Sequence, residues 1–324
     1  MKRELLEYFS SLENLKNPKD GLIHTDSVSL DLITPRNGLK KVPKYNMSGK
    51  PVYIKGYNGD NTIVGLSTTQ MYQEIGLTTP TQYILTTSPS HRKLFSRVKA
   101  VDFRFTSLST VTPDLYNIPD IDCATLGSIL PADTKLSAAF RIGKYAWQFL
   151  YDASIRSIML EYMTPECFNE IIGEALVAEI RTDIDRHFEN TFLYKRKGAK
   201  KYEGVIPIDL DNLEILRHIY GNKFSEWDFE GFLATPYEAT SVTGQLNKGA
   251  YIHRVSDLKE IIDDGVVPPT SLEYLRSALK HDLPDTIESQ CNPPSFSKRK
   301  KPLISAYKRL WDYNREELGP LLDI

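Results

Sequence analysis

The stretch that most limits the fold is residues 180–212, IRTDIDRHFENTFLYKRKGAKKYEGVIPIDLDN. A helical pattern runs into it from Pro165. Thr164 is placed to cap that helix, and the proline sits in its first turn, where a missing N–H costs nothing. Two short β-rich runs follow, 191–194 and 204–208, joined by the polar Lys195-Arg196-Lys197-Gly198-Ala199-Lys200-Lys201. Such a pair reads as an antiparallel hairpin with a solvated, lysine-rich tip. The hairpin sets Asn190, just before its first strand, beside Asp209, at the end of its second. Both are hard oxygen ligands, suited to Mg²⁺ rather than to zinc. Asp185, at the end of the incoming helix, falls one turn away and is placed to accept a proton.

Around this segment the chain divides into two parts. Leu5, Leu6, Phe9, Leu12 and Leu15 share one face of a helix over 4–15. Strands are expected over 27–34, 51–55, 82–86 and 97–105, with a helix over 61–75 closed by Gly76. Residues 106–135, rich in Ser, Thr, Pro and Asp, read as a connector. Helices dominate afterwards, over 138–158 and 165–184 and in broken pieces from 213 onward. The plan is a small strand-rich N-lobe over 1–105, a hinge and connector over 106–135, and a larger helical C-lobe over 136–324. Forty basic residues against forty-two acidic ones leave none of the basic excess of a dedicated nucleic-acid binder. Cys123, Cys167 and Cys291 lie too far apart for a CxxC pair or a four-thiolate zinc site. No apolar run approaches the ~18 residues of a membrane span, and the start lacks a signal peptide's apolar stretch. The expected setting is cytoplasmic, with secretion as an effector the alternative. Neither nucleic acid nor membrane is expected as a direct partner.

Phosphoryl transfer asks a protein mostly for positioning and for positive charge around the phosphate oxygens. An Asn and an Asp holding Mg²⁺, with a separate Asp to orient a hydroxyl, meet that demand. The step of five from Asp185 to Asn190 equals that of the protein-kinase catalytic loop. Lys55 ends Val52-Tyr53-Ile54-Lys55, which resembles the Val-Ala-Ile-Lys strand whose lysine meets the nucleotide phosphates. The Asp-Arg-His-x-x-Asn loop, the hairpin and the Ile-Pro-Ile-Asp ending resemble those of HipA-like serine/threonine kinases. Phosphatidylinositol 4-kinases share a related loop and hairpin. The specific match covers 181–212, and order and spacing extend it to 28–212. The resemblance implies an α+β, two-lobed protein-kinase-like fold with ATP and Mg²⁺ between the lobes. It implies Asp185 as catalytic base, Asn190 and Asp209 as metal ligands and Lys55 as the phosphate contact. It also implies that the strand ending Phe103-Arg104-Phe105-Thr106 leads into the hinge, with Phe105 at the adenine site.

Three departures from that pattern stand out. The helix Glu expected to hold Lys55 falls on Gly65, which leaves Glu74, at the far end of the helix, as the substitute. Arg36-Asn37-Gly38-Leu39-Lys40-Lys41 or Met47-Ser48-Gly49-Lys50 must cover the phosphates, and neither has the GxGxxG pattern. Asp209 is followed by Leu210-Asp211-Asn212, so Asp211 becomes a second metal ligand or a substrate-facing carboxylate. The expected function is ATP- and Mg²⁺-dependent phosphoryl transfer to a protein Ser/Thr hydroxyl, in a toxin or effector. A protein substrate and an antitoxin or host protein are the expected partners. Alternatives are a lipid or small-molecule kinase, AMP transfer, and a pseudokinase acting as a binding module.

Overall fold

The computed structural model describes residues 1–34, 44–56, 59–86, 108–129, 146–183, 186, 188–211, 215–216, 219, 228–234, 236–240, 246–290 and 300–324. The amphipathic start forms α1 (Lys2–Phe9) and tightens into a 3₁₀ segment, Ser10–Leu15. There follow β1 (Ile23–His24), β2 (Leu30–Thr34), β3 (Lys44–Met47), β4 (Lys50–Gly56), α2 (Gly59–Glu74), β5 (Tyr83–Thr86) and β6 (Leu108–Pro113). These strands form one six-stranded sheet in the order β1-β5-β6-β4-β3-β2. It is antiparallel except where β1 meets β5. The β3–β4 turn carries Ser48 and Gly49 at φ 50° and 87°, the paired positive values that a tight hairpin requires.

The larger lobe begins with β7 (Ile121–Thr125), α3 (Leu126–Ile129), α4 (Ala146–Tyr151), α5 (Ala153–Tyr162) and α6 (Pro165–Ile180). Next are β8 (Thr191–Arg196), β9 (Gly204–Pro207), α7 (Phe229–Ala234), β10 (Pro236–Thr240) and β11 (Leu246–Ala250). The chain closes with α8 (Tyr251–Asp263), α9 (Pro269–Lys280), α10 (Leu283–Gln290) and α11 (Lys300–Leu322). Strands β7, β8 and β9 form an antiparallel three-stranded sheet. Thr164 caps α6 as the sequence predicts, its hydroxyl accepting from the Cys167 N–H at 3.2 Å.

Three expectations need correction. The stretch read as connector holds β6, which lies inside the N-lobe sheet between β5 and β4. Its Ser and Thr residues resemble a loop, but they alternate around Val111 and face a buried environment, Ser109 and Val111 both being fully enclosed. The strand expected over 97–105 lies outside the described residues. The helix expected over 138–158 is broken at Asp152, whose carboxylate accepts from the Ser154 and Ile155 N–H groups and starts α5 as a new helix. Finally, the tail expected to be helical includes the β10–β11 ribbon.

Helix α2 belongs to the core of the large lobe. The sheet has a cluster of its own around Val52, Ile54, Tyr83 and Val111. Ile63, Val64, Met71 and Tyr72 of α2 instead join Leu176, Leu283, Ile287 and Trp311. Every residue over 62–69 is buried, the signature of a helix enclosed on all sides. Two of its hydroxyls are satisfied within the helix, Ser67 donating to the Ile63 carbonyl and Thr69 to that of Gly65, whereas the buried Thr68 hydroxyl has no partner among the described residues.

Candidate active site

A cleft of about 570 Å³ lies between the sheet and the large lobe, of a size usual for a small-molecule site. Its roof is formed by Tyr53, Lys55, Thr110 and Thr112 of β4 and β6, and its floor by Glu189, Phe192, Ile208, Asp209 and Asp211. Where β6 leaves the sheet, Pro113, Leu115 and Tyr116 line the back. Asp114 organises this corner. Fully buried, it accepts from the Tyr116 N–H and pairs with Lys44 of β3, while its carbonyl accepts from the Tyr8 hydroxyl of α1.

The floor is fixed by the hairpin register. Thr191 pairs with Pro207, and the Ile208 N–H donates to the Asn190 carbonyl at 3.0 Å, which sets the Asn190 backbone opposite Ile208, the residue before Asp209. Asp209 adopts φ 54°, the left-handed conformation that Asp tolerates better than most residues. Its carboxylate Oδ1 accepts from Nζ of Lys55, bringing together across the cleft two residues that the sequence separates by 154 positions.

Behind the floor sits a buried charge network. Arg186 donates through Nη2 to the carbonyls of both Asn190 and Ile208, stapling the loop to the hairpin. Its Nη1 lies 3.3 Å from Glu174 and 4.0 Å from Asp183. Burial opposes the Arg186 charge, but Glu174 and Asp183 outweigh it and push the guanidinium pKa up. Arg181, fully buried, donates to the Tyr72 hydroxyl at 2.7 Å and to the Leu210 carbonyl at 3.0 Å, joining α2 to the loop after Asp209. Sequence spacing shows Arg186 next to Asp185 but gives no sign of this bracing.

The other expected residues fall as follows. Asp185 and Phe105 lie outside the described residues, as does the segment 36–41. The strands that 35–43 joins, β2 and β3, meet beside the Lys55 end of β4, where Lys44 pairs with Tyr53. Met47-Ser48-Gly49-Lys50 forms the turn at the opposite end of β4. It lies about 17 Å from Lys55 at ~3.3 Å per residue, too far to cover a phosphate there. Glu74 is not the partner of Lys55. It sits at the end of α2, paired with His281 at 2.7 Å and accepting from Gln70 at 2.9 Å. Spacing alone did not reveal Gln82, Tyr116 and Glu189 as cleft residues, although Glu189 immediately precedes Asn190.

No group of three or more His, Cys, Asp or Glu side chains is arranged to hold a metal among the described residues. The floor carries the carboxylates of Glu189, Asp209 and Asp211, all hard oxygen donors, while Asn190, next to Glu189 in the chain, is buried and does not itself line the cleft. That set fits Mg²⁺, which takes few protein ligands and fills its octahedron with water and phosphate oxygens.

Among solved structures, the chain is similar to a proinflammatory kinase of Helicobacter pylori, CtkA, with a TM-score of 0.53 over 89% of this chain and 95% of that one. The fold is kinase-like. The shared architecture comes with only 10% sequence identity. A second similar structure is HipA of Shewanella oneidensis, solved with HipB and its operator DNA. It is 12% identical, with a TM-score of 0.48 over 99% of this chain and 84% of that one. No protein-family model matches the sequence, and no curated protein matches it. Within the kinase-like fold, β4 with Lys55, the enclosed helix α2 and the β8–β9 hairpin follow one another along the chain in the order that the motif resemblance implies. No described helix is long and apolar enough to cross a membrane.

Proposed function

We propose that the chain is an ATP- and Mg²⁺-dependent phosphotransferase acting on a protein Ser/Thr hydroxyl. The observation that carries this reading is the contact across the cleft between Lys55, on a sheet strand, and Asp209, at the end of the hairpin. An ammonium there neutralises phosphate oxygens, and a carboxylate with a neighbouring amide offers a divalent cation its protein ligands. Asn190 and Asp209 would hold Mg²⁺, which would supply neutralising charge for the transferring phosphoryl group. Lys55 contacts the phosphates, and Asp185 orients the acceptor hydroxyl and takes its proton. Leu115 and Tyr116, where the chain passes from sheet to large lobe, border the adenine end. An antitoxin or host protein is the partner class that a toxin or effector role brings.

Incubation with γ-labelled and with α-labelled ATP, Mg²⁺ and a generic protein acceptor tests this reading. Label transferred from the γ position alone is the expected result. Transfer from the α position would mean nucleotidyl transfer. No transfer and no Mg²⁺-dependent nucleotide binding would overturn the proposal.

A further inference from the structure

A lysine that meets nucleotide phosphates sits on a flexible four-carbon stem and needs an acid to hold it. In protein kinases that acid is a Glu of the N-lobe helix. Here the matching helix position is Gly65, and Glu74 is engaged elsewhere. The glycine is nevertheless not an empty position. A Cβ added to Gly65 would lie 3.0 Å from Cβ of Asp211, 3.6 Å from its Cα and 3.7 Å from Oε1 of Gln82. The backbone and side chain of Asp211 therefore fill the volume that a side chain from the helix would otherwise use.

Resting on the phosphotransferase reading, we propose that Asp211 is the positioning acid for Lys55, delivered from the loop after Asp209 and admitted by Gly65. Asp211 lines the same cleft as Lys55 and Asp209. The Gly65 contact and the shared cleft lining set the Asp211 carboxylate two residues beyond Asp209, the acid that Lys55 already touches. The arrangement also explains why two carboxylates stand near one lysine. A carboxylate that ligates a divalent cation has little charge left for an ammonium. With Asp209 given over to the metal, Asp211 keeps Lys55 extended toward the phosphates.

The test uses the full chain with ATP, Mg²⁺ and the acceptor that supports transfer, with kcat and KM for ATP measured separately. Asp211→Asn preserves the shape beside Gly65 and removes the charge. It is expected to lower kcat/KM by about 10- to 100-fold, the usual worth of a residue that orients a liganding group. The double variant Lys55→Ala/Asp211→Asn is expected to be no worse than Lys55→Ala alone, because a positioning acid has nothing to position once the lysine is gone. The swap Gly65→Glu/Asp211→Gly moves the acid back to the helix and should recover most of what Asp211→Gly loses, which a merely structural Asp211 would not allow. Full activity of Asp211→Asn beside an inactive Lys55→Ala overturns this proposal alone. So does a double variant whose losses multiply. A wild-type chain that neither transfers phosphate nor binds Mg·ATP overturns the underlying reading instead.

Discussion

At the scale of single residues, the site divides between charges that face the cleft and charges sealed beneath it. Lys55 and Asp209 are half-exposed and face the cleft, so their removal should cost function before stability. Asp209→Ala is expected to abolish the thermal stabilisation given by Mg·ATP while leaving the melting temperature of the unliganded chain nearly unchanged. Unaltered Mg·ATP stabilisation in that variant would remove Asp209 from the metal site. Asp185→Ala should leave ATP affinity intact and lower turnover by about two to four powers of ten, the worth of a positioned acid–base group. Arg186 behaves in the opposite way. Its guanidinium is the buried counter-charge of Glu174 and Asp183, so Arg186→Ala leaves buried carboxylates short of a partner. That should destabilise the fold by about 3–5 kcal/mol, measurable by chemical denaturation. Cys123 makes a further residue-level case. Burial pushes its thiol up to about 12, so in a Cys167→Ala/Cys291→Ser background it should resist thiol reagents at neutral pH until the chain is unfolded. Rapid labelling of the native protein would show that the strand around Cys123 opens. The meeting of Lys55 and Asp209 is foreshadowed in the sequence because local motifs mark both residues. Arg186 and Arg181 are not, because their partners come from elements far apart in the chain.

At the scale of elements, what the sequence shows depends on how local the cause is. The β8–β9 hairpin is legible because a turn and two alternating strands are adjacent, and the α6 cap because Thr164 and Pro165 are neighbours. Strand β6 is hidden by its own composition, since a Ser/Thr-rich run looks solvated until its sheet neighbours are known. The fit of Gly65 against Asp211 is invisible for the same reason at longer range. The packing of α6 on α9 gives an element-level prediction. A Cβ on Gly173 would run into Cδ2 of Tyr274 and lie 3.0 Å from its Cγ and 3.2 Å from its Cβ. The obstacle is the base of a ring, which has little room to yield. Gly173→Ala gains about 1 kcal/mol of helix propensity and loses about 1–3 kcal/mol to overpacking. The melting temperature should therefore fall rather than rise.

At the scale of the whole molecule, two features tie the lobes together away from the cleft. The N-terminal segment is one. Leu5 and Phe9 pack with Leu115, Ile118, Phe192, Tyr194 and Ile206 at the hinge and the small sheet, while Leu12 joins the core of the large sheet. The Phe9 carbonyl also accepts from the Tyr83 hydroxyl of β5 at 3.0 Å. Phe9→Ala should cost about 3–5 kcal/mol, and unfolding should become less cooperative if the segment couples the lobes. An unchanged single transition at the wild-type midpoint would show that α1 is dispensable.

The second tie is the enclosure of α2 by the C-terminal helices. Glu74 is paired with His281, Gln70 accepts from Gln290 at 3.2 Å, and the Trp311 indole donates to the His281 carbonyl at 2.9 Å, closing the end of the helix. Swinging this helix outward would expose Ile63, Val64, Met71 and Tyr72 together with the side chains that cover them. The pocket is consequently offered to small molecules in essentially one shape. Compounds that gain selectivity by wedging behind a displaced helix should find no foothold here, and screening for inhibitors should reward fit to the closed cleft around Tyr116 and Glu189 instead.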